Sequence, residues 1–192
     1  SVVVGGYGND DITINGANNV ILGDNGEINY SSNETTDTTW NNQDGLESYI
    51  SKVKTIENGI GDVDNIEITG SENIVMGGDK GDFINIGESG VENSGKNNVV
   101  LGDGGEYEVN NDKTSVKVTT DDDSIGGADE INVYGGGNIV MGGAQGDEIT
   151  IGESASSSSN ENVVLGDAGR YELKKNESLE IQTKNDSIGG VD

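Results

Sequence analysis

The stretch Asn73-Ile74-Val75-Met76-Gly77-Gly78 returns as Asn138-Ile139-Val140-Met141-Gly142-Gly143, an offset of 138 − 73 = 65 residues. Asn98-Val99-Val100-Leu101-Gly102-Asp103 returns as Asn162-Val163-Val164-Leu165-Gly166-Asp167, an offset of 64. Ser124-Ile125-Gly126-Gly127 returns as Ser187-Ile188-Gly189-Gly190, an offset of 63. A more diverged copy precedes them, visible in Val4-Gly5-Gly6 and Asn19-Val20-Ile21-Leu22-Gly23-Asp24. Self-similarity at a fixed period marks a repeat architecture, whose units bury their apolar faces against one another. The chain divides into a diverged repeat at 1–72 with a long insertion at about 29–58, a repeat at 73–137, and an incomplete repeat at 138–192. It opens inside one copy and stops inside another, as expected of a window on a longer array. Each copy reads as three strand–turn–strand units of about 22 residues.

The strands are short, with aliphatic residues at period two: Ile12/Ile14, Ile66/Ile68, Ile84/Ile86, Ile131/Val133 and Ile149/Ile151. That alternation turns one face inward and leaves Asp, Glu, Asn and Thr outward. Glycine pairs supply the positive φ of tight corners. No 3.6-residue apolar period supports a helix. The expected fold is all-β: a parallel β-solenoid, a β-roll-like stack of short strands with Gly/Asp-rich turns. A second strand type, such as Val20-Ile21-Leu22 or Val99-Val100-Leu101, is apolar on both faces. If the outer two residues of each triplet fill the core, Ile21, Val75, Val100, Val140 and Val164 form an outward apolar row. Such a row is expected to be covered by the inserted segments or by a neighbouring chain, unless it reflects plain β propensity on a partly exposed sheet. The inserted segments themselves read as β excursions: Tyr107-Glu108-Val109 with Val116-Lys117-Val118, and Tyr171-Glu172-Leu173 with Leu179-Glu180-Ile181. The longer first excursion holds the single Trp, Trp40, and Ser154-Ala155-Ser156-Ser157-Ser158-Ser159 reads as a surface loop.

Composition narrows the function. Against 36 Asp and Glu stand 10 Lys and Arg, a net charge of -26. Nucleic acid is excluded as a partner, since phosphate binding needs basic residues, and so is an anionic lipid surface. No apolar run is long enough for a membrane span. Such charge on a lean hydrophobic content would suit a disordered linker, but the periodicity argues for order. Without Cys or His, disulfides, zinc ribbons and thiol or imidazole catalysis drop out. Without Pro, every residue can donate to a β ladder. A compact body of this charge repels itself, and bound cations are the simplest compensation.

Gly5-Gly6-Tyr7-Gly8-Asn9-Asp10-Asp11-Ile12-Thr13 fits the nonapeptide Gly-Gly-x-Gly-x-Asp-x-(apolar)-x at every specified position. This resembles the repeat-in-toxin (hemolysin-type) calcium-binding family, whose β-roll holds calcium between successive turns. Gly77-Gly78-Asp79-Lys80-Gly81-Asp82 and Gly142-Gly143-Ala144-Gln145-Gly146-Asp147 move the third glycine by one, and the turns before Asp64 and Asp129 are shorter. All keep a glycine corner, then Asp, one residue, then an inward aliphatic. The resemblance implies Ca2+ as cofactor, with Asp10, Asp82, Asp147, Asp64 and Asp129 as ligands alongside glycine carbonyls. A hard cation wanting six to eight oxygens suits such a corner. Asp24, Asp103 and Asp167 sit in a second turn type and are further candidate ligands, unless they cap their own backbone. A metal-free, Asn/Asp-capped stack is the competing reading.

Paired carboxylates could serve a glycosidase, but here they recur in every copy rather than converging once. No nucleophile–base pair, P-loop or dinucleotide fingerprint occurs, so the chain is expected not to be an enzyme. The expected function is a calcium-stabilised extracellular structural or adhesive module: a spacer, matrix fibre or surface-layer component. Its expected partners are calcium ions and either another copy of itself or a neighbouring repeat. The alternative is the calcium-binding tail of a secreted toxin or enzyme. Ice binding would need a Thr ladder, but Asn85 interrupts Thr13 and Thr150; polysaccharide binding would need more aromatic platforms.

Overall fold

The computed structural model describes residues 1–32, 48–56, 59–91, 94–121, 125–152, 161–175 and 179–184. Trp40, the Ser154–Ser159 loop and Ser187–Gly190 lie outside them. Among the described residues every regular element is a strand. In chain order these are β1 (Val2–Val4), β2 (Asp11–Asn15), β3 (Val20–Leu22), β4 (Gly26–Ser32), β5 (Ser48–Thr55) and β6 (Asn65–Thr69). Next come β7 (Ile74–Gly78), β8 (Phe83–Ile86), β9 (Val99–Asp103), β10 (Gly105–Val109), β11 (Ser115–Thr120) and β12 (Glu130–Tyr134). The last are β13 (Ile139–Gly143), β14 (Glu148–Gly152), β15 (Val163–Asp167), β16 (Gly169–Lys174) and β17 (Glu180–Thr183).

They build three sheets. One is parallel, ordered β1-β3-β7-β9-β13-β15, and a second runs β14-β12-β8-β6-β2, also parallel. The third is an antiparallel meander, β17-β16-β11-β10-β5-β4. The chain alternates between the two parallel sheets, adding one strand to each per rung. In the second parallel sheet the register does not slip: Ile12, Ile66, Ile84, Ile131 and Ile149 form one row, and Ile14, Ile68, Ile86, Val133 and Ile151 the next. Period two fixes this register, since a one-residue slip would turn the whole aliphatic set to solvent.

The apolar triplets face the opposite way from the expectation. Their middle residues Ile21, Val75, Val100 and Val140 pack against Ile66, Ile68, Ile84, Ile86, Ile131 and Val133 of the second parallel sheet. Their outer residues Val20, Leu22, Met76, Leu101, Met141 and Leu165 pack against Val53, Val118 and Tyr171 of the antiparallel sheet. The middle row is therefore buried between the parallel sheets, and the excursions cover the outer residues instead. Val164, on the outermost strand, stays exposed. A triplet apolar on both faces carries no alternation, so nothing in it marks which face meets which layer.

The excursions do form hairpins, β10 with β11 and β16 with β17, and β4–β5 is a third. One hairpin follows every second strand of the first parallel sheet: β3, β9 and β15. Strands pair about 4.8 Å apart in any sheet. A two-strand hairpin per two rungs thus lets the antiparallel layer grow at the same pace as the layer beneath it. Both sheets contain six strands. That match explains the 65-residue period, which spans two rungs, one bare and one carrying a hairpin. The three units read in each copy are these two rungs, the second one split by its hairpin.

At the corner entering the first parallel sheet, asparagines stack. Asn73, Asn98, Asn138 and Asn162 each offer Oδ1 to the backbone N–H of the preceding asparagine, at 2.8–2.9 Å. The same oxygen accepts the preceding side-chain Nδ2, at 3.0–3.2 Å. Asn73, Asn98 and Asn138 are buried to 1% exposure or less. Replacing Asn98 by Ala strands two buried donors of Asn73. The expected loss is about 3 kcal/mol, read as a lowered urea midpoint.

Candidate metal centre

The opposite corner, where the chain passes into the second parallel sheet, carries aspartates. Each precedes a strand of that sheet, so the parallel register brings Asp10, Asp64, Asp82, Asp129 and Asp147 into one column. Asp10 N–H donates to Asp64 Oδ1, Asp64 N–H to Asp82 Oδ1 and Asp82 N–H to Asp129 Oδ1, each at 2.7 Å. Asp129 N–H donates to Asp147 Oδ1 at 2.9 Å. One oxygen of each acceptor carboxylate is thereby used. The other, Oδ2, is buried without a hydrogen bond at Asp64, Asp82 and Asp129, as is Oδ2 of Asp10 at the end of the column. The side chains of Asp64, Asp82 and Asp129 are at most 3% exposed.

These oxygens lie against glycines of the first parallel sheet. A Cβ on Gly23 would stand 2.3 Å from Asp64 Oδ2 and 2.4 Å from the Gly77 carbonyl. On Gly102 it would stand 2.1 Å from Asp129 Oδ2 and 2.6 Å from the Gly142 carbonyl. Carboxylate oxygens and glycine carbonyls therefore run side by side along the corner. The displaced third glycine of the nonapeptide also has an explanation. The left-handed position filled by Gly8 (φ 101°) is taken by Lys80 (φ 72°) and Gln145 (φ 73°), which accept the strain.

A second column runs beside the first. Asp24 and Asp103 are 4% and 2% exposed. Backbone amides of the neighbouring loops clasp them: Asp79 N–H on Asp24, Gly127 N–H and Ala144 N–H on Asp103. Asp167 occupies the equivalent place on the last rung, half-buried, with Oδ1 unpartnered. All eight sequence-predicted aspartates thus fall on one corner, in two columns. The sequence reading missed the asparagine stack, although an Asn heads every triplet, and it missed Asp79, which adjoins Asp24.

Among the described residues, no Lys or Arg is among the main influences on the carboxyls of Asp24, Asp64, Asp82, Asp103 and Asp129. Burial pushes the Asp82 carboxyl up to about 9 and the Asp129 carboxyl to about 10. It raises Asp103 to about 8, Asp64 to about 7 and Asp24 to about 6. Repulsion from neighbouring aspartates adds to each, while backbone N–H donors pull the other way. The Lys52–Glu106, Arg170–Glu172 and Lys174–Glu172 ion pairs belong to the antiparallel sheet instead. The donor set is oxygen only and anionic, with unpartnered carboxylate oxygens, which suits a hard cation. Among the described residues no three acidic side chains converge on one point. Each ion would then need glycine carbonyls to complete its shell. Compared with known families, characterised proteins and solved structures, the chain matches none.

Proposed function

We propose that the chain is a segment of a calcium-stabilised β-solenoid serving as an extracellular structural or adhesive module, not an enzyme. The observation that carries this reading is the set Asp10, Asp64, Asp82 and Asp129, aligned in one column, whose buried Oδ2 atoms have no hydrogen-bond donor. A buried, unpaired carboxylate is costly, and it is relieved either by a proton or by a cation. Calcium, bound by Asp10, Asp64, Asp82, Asp129 and Asp147 with glycine carbonyls, would supply the missing positive charge. The nonapeptide at Gly5–Thr13 resembles the repeat-in-toxin motif and points the same way. Outside cells calcium is abundant, so a fold that needs it forms after export.

Two further observations suit a structural role. The cores run continuously through successive rungs, and the hairpin layer repeats in step with them. Lateral self-association draws no support from the middle residues Ile21, Val75, Val100 and Val140, which are buried inside.

The test is a calcium titration of chelator-treated protein at pH 7.5, followed by circular dichroism and thermal melting. The reading predicts a gain in β signal and a rise in Tm of about 10 °C or more, on the order expected for a few kcal/mol. Identical spectra and melting with and without calcium would refute it.

A further inference from the structure

The three layers leave two outer faces. The first parallel sheet lies in the middle, since its triplets turn their middle residues to the second parallel sheet and their outer residues to the antiparallel sheet. The outward face of the second parallel sheet is therefore one outer surface, and that of the antiparallel sheet is the other. Strand pairing fixes which side chains each presents.

The first surface is acidic around an aromatic. Asp11, Asn65, Phe83, Glu130 and Glu148 form one outward row, and Glu67 belongs to the next. The five strands of this sheet contain four acids and no Lys or Arg. Phe83, the chain's single Phe, sits on the central strand β8 and is 46% exposed. The second surface has the opposite balance. Of the chain's ten Lys and Arg, all but Lys80 and Lys96 lie in the antiparallel layer. Across 26–32, 48–55, 105–120, 169–175 and 179–184, eight cations stand against six acids, a net +2 in a chain of -26. Glu106 and Glu172 are paired with Lys52, Arg170 and Lys174. Lys54 and Lys117 adjoin the buried Val53 and Val118 and so point outward. Among the described residues these two lysines have no ion-pair partner.

An exposed aromatic among carboxylates, with no cation on its own sheet, fits a partner that brings lysines. Their alkyl stems pack on the ring while the ammonium groups reach the acids. We propose that the outward face of the second parallel sheet docks on the antiparallel face of a second copy, with Phe83 at its centre and Lys54 and Lys117 opposite its acids. Pairing two of the acidic faces would set carboxylate against carboxylate, which is costly. The two surfaces differ and lie on opposite sides, so the contact is heterologous and copies add side by side without closing. Five strands about 4.8 Å apart and five residues of about 3.3 Å make a patch of about 24 by 17 Å. That is about half the area each partner buries in a stable complex, so a single contact is weak. The contact does not depend on what fills the aspartate corner.

The experiment is sedimentation equilibrium of the folded chain with calcium present. Salt is held at about 0.1 M, where a Debye length of about 10 Å damps repulsion between whole molecules. Wild type is expected to gain average mass steadily, at least about twofold by about 1 mM protein, the range of a weak contact. Phe83→Asn installs the residue that the neighbouring strand carries in register, Asn65. That variant and Lys54→Gln/Lys117→Gln are each expected to associate at least about tenfold more weakly while melting as wild type does. Mixed in equal amounts, the two variants should regain dimers and nothing larger, because one copy keeps the antiparallel face and the other keeps the acidic face. A monomeric wild type, a wild type that stops at a closed dimer, variants that associate as wild type does, or a mixture that stays monomeric would each overturn the proposal. Mass reads this contact and melting reads the calcium corner, so either can fail alone.

Discussion

Stripped of divalent cations, the protein is expected to be more stable at pH 5 than at pH 9, by several kcal/mol. The folded-state values of Asp24, Asp64, Asp103, Asp82 and Asp129 are about 6, 7, 8, 9 and 10, all above the ordinary 3.8. A carboxyl with a raised folded value binds its proton more tightly in the native chain than in the unfolded one. Its contribution is fully present below about pH 3.8 and is lost as the pH climbs through the folded value. Each tenfold gain in proton affinity on folding is worth about 1.4 kcal/mol, and a domain's whole stability is only about 5–15 kcal/mol. Asp82 and Asp129 dominate, and their loss spans the neutral range. Melting of metal-free protein across this range checks it, and the decline should flatten in an Asp82→Asn/Asp129→Asn variant. A flat profile in wild type would mean that the column is hydrated or differently paired.

Val118→Asp is expected to destabilise the protein by about 4 kcal/mol or more, the cost of an unpaired charge in an apolar interior. Val118 lies in the middle of the antiparallel layer, fully buried against the outer residues of the triplets. Its neighbour Lys117 points to the other face, and Lys117→Gln is expected to change stability by less than about 0.5 kcal/mol. Denaturant unfolding of both variants tests the layering. Equal, small effects would show that the hairpins do not cover the first parallel sheet.

Much of this was legible in the sequence because repetition and alternation are both periodic signals. Ile66/Ile68, Ile84/Ile86 and Ile131/Val133 point inward as their period-two spacing demands, and all are buried. The aspartate column follows from position alone: an acid two residues before each such pair must stack once the strands pair in register. The triplets were a different matter. Val99-Val100-Leu101 is buried at every residue, so its pattern could not say which side met the hairpins. Nor could residue type announce the asparagine stack, since an Asn before a strand caps or turns equally well in isolation. Its ladder exists only through partners 24 to 54 residues away. The contact of Asp79 with Asp24 needed coordinates too, because the two acids lie 55 residues apart in the chain.

The most direct test follows protons rather than structure. Calcium added to metal-free protein in weakly buffered solution at pH 7.5 should displace the protons held by Asp82, Asp129 and their neighbours. Those protons are read as a stoichiometric acid release that shrinks in Asp82→Asn/Asp129→Asn. Saturating calcium with no proton release, or the same release from that variant, would contradict a calcium-neutralised aspartate column.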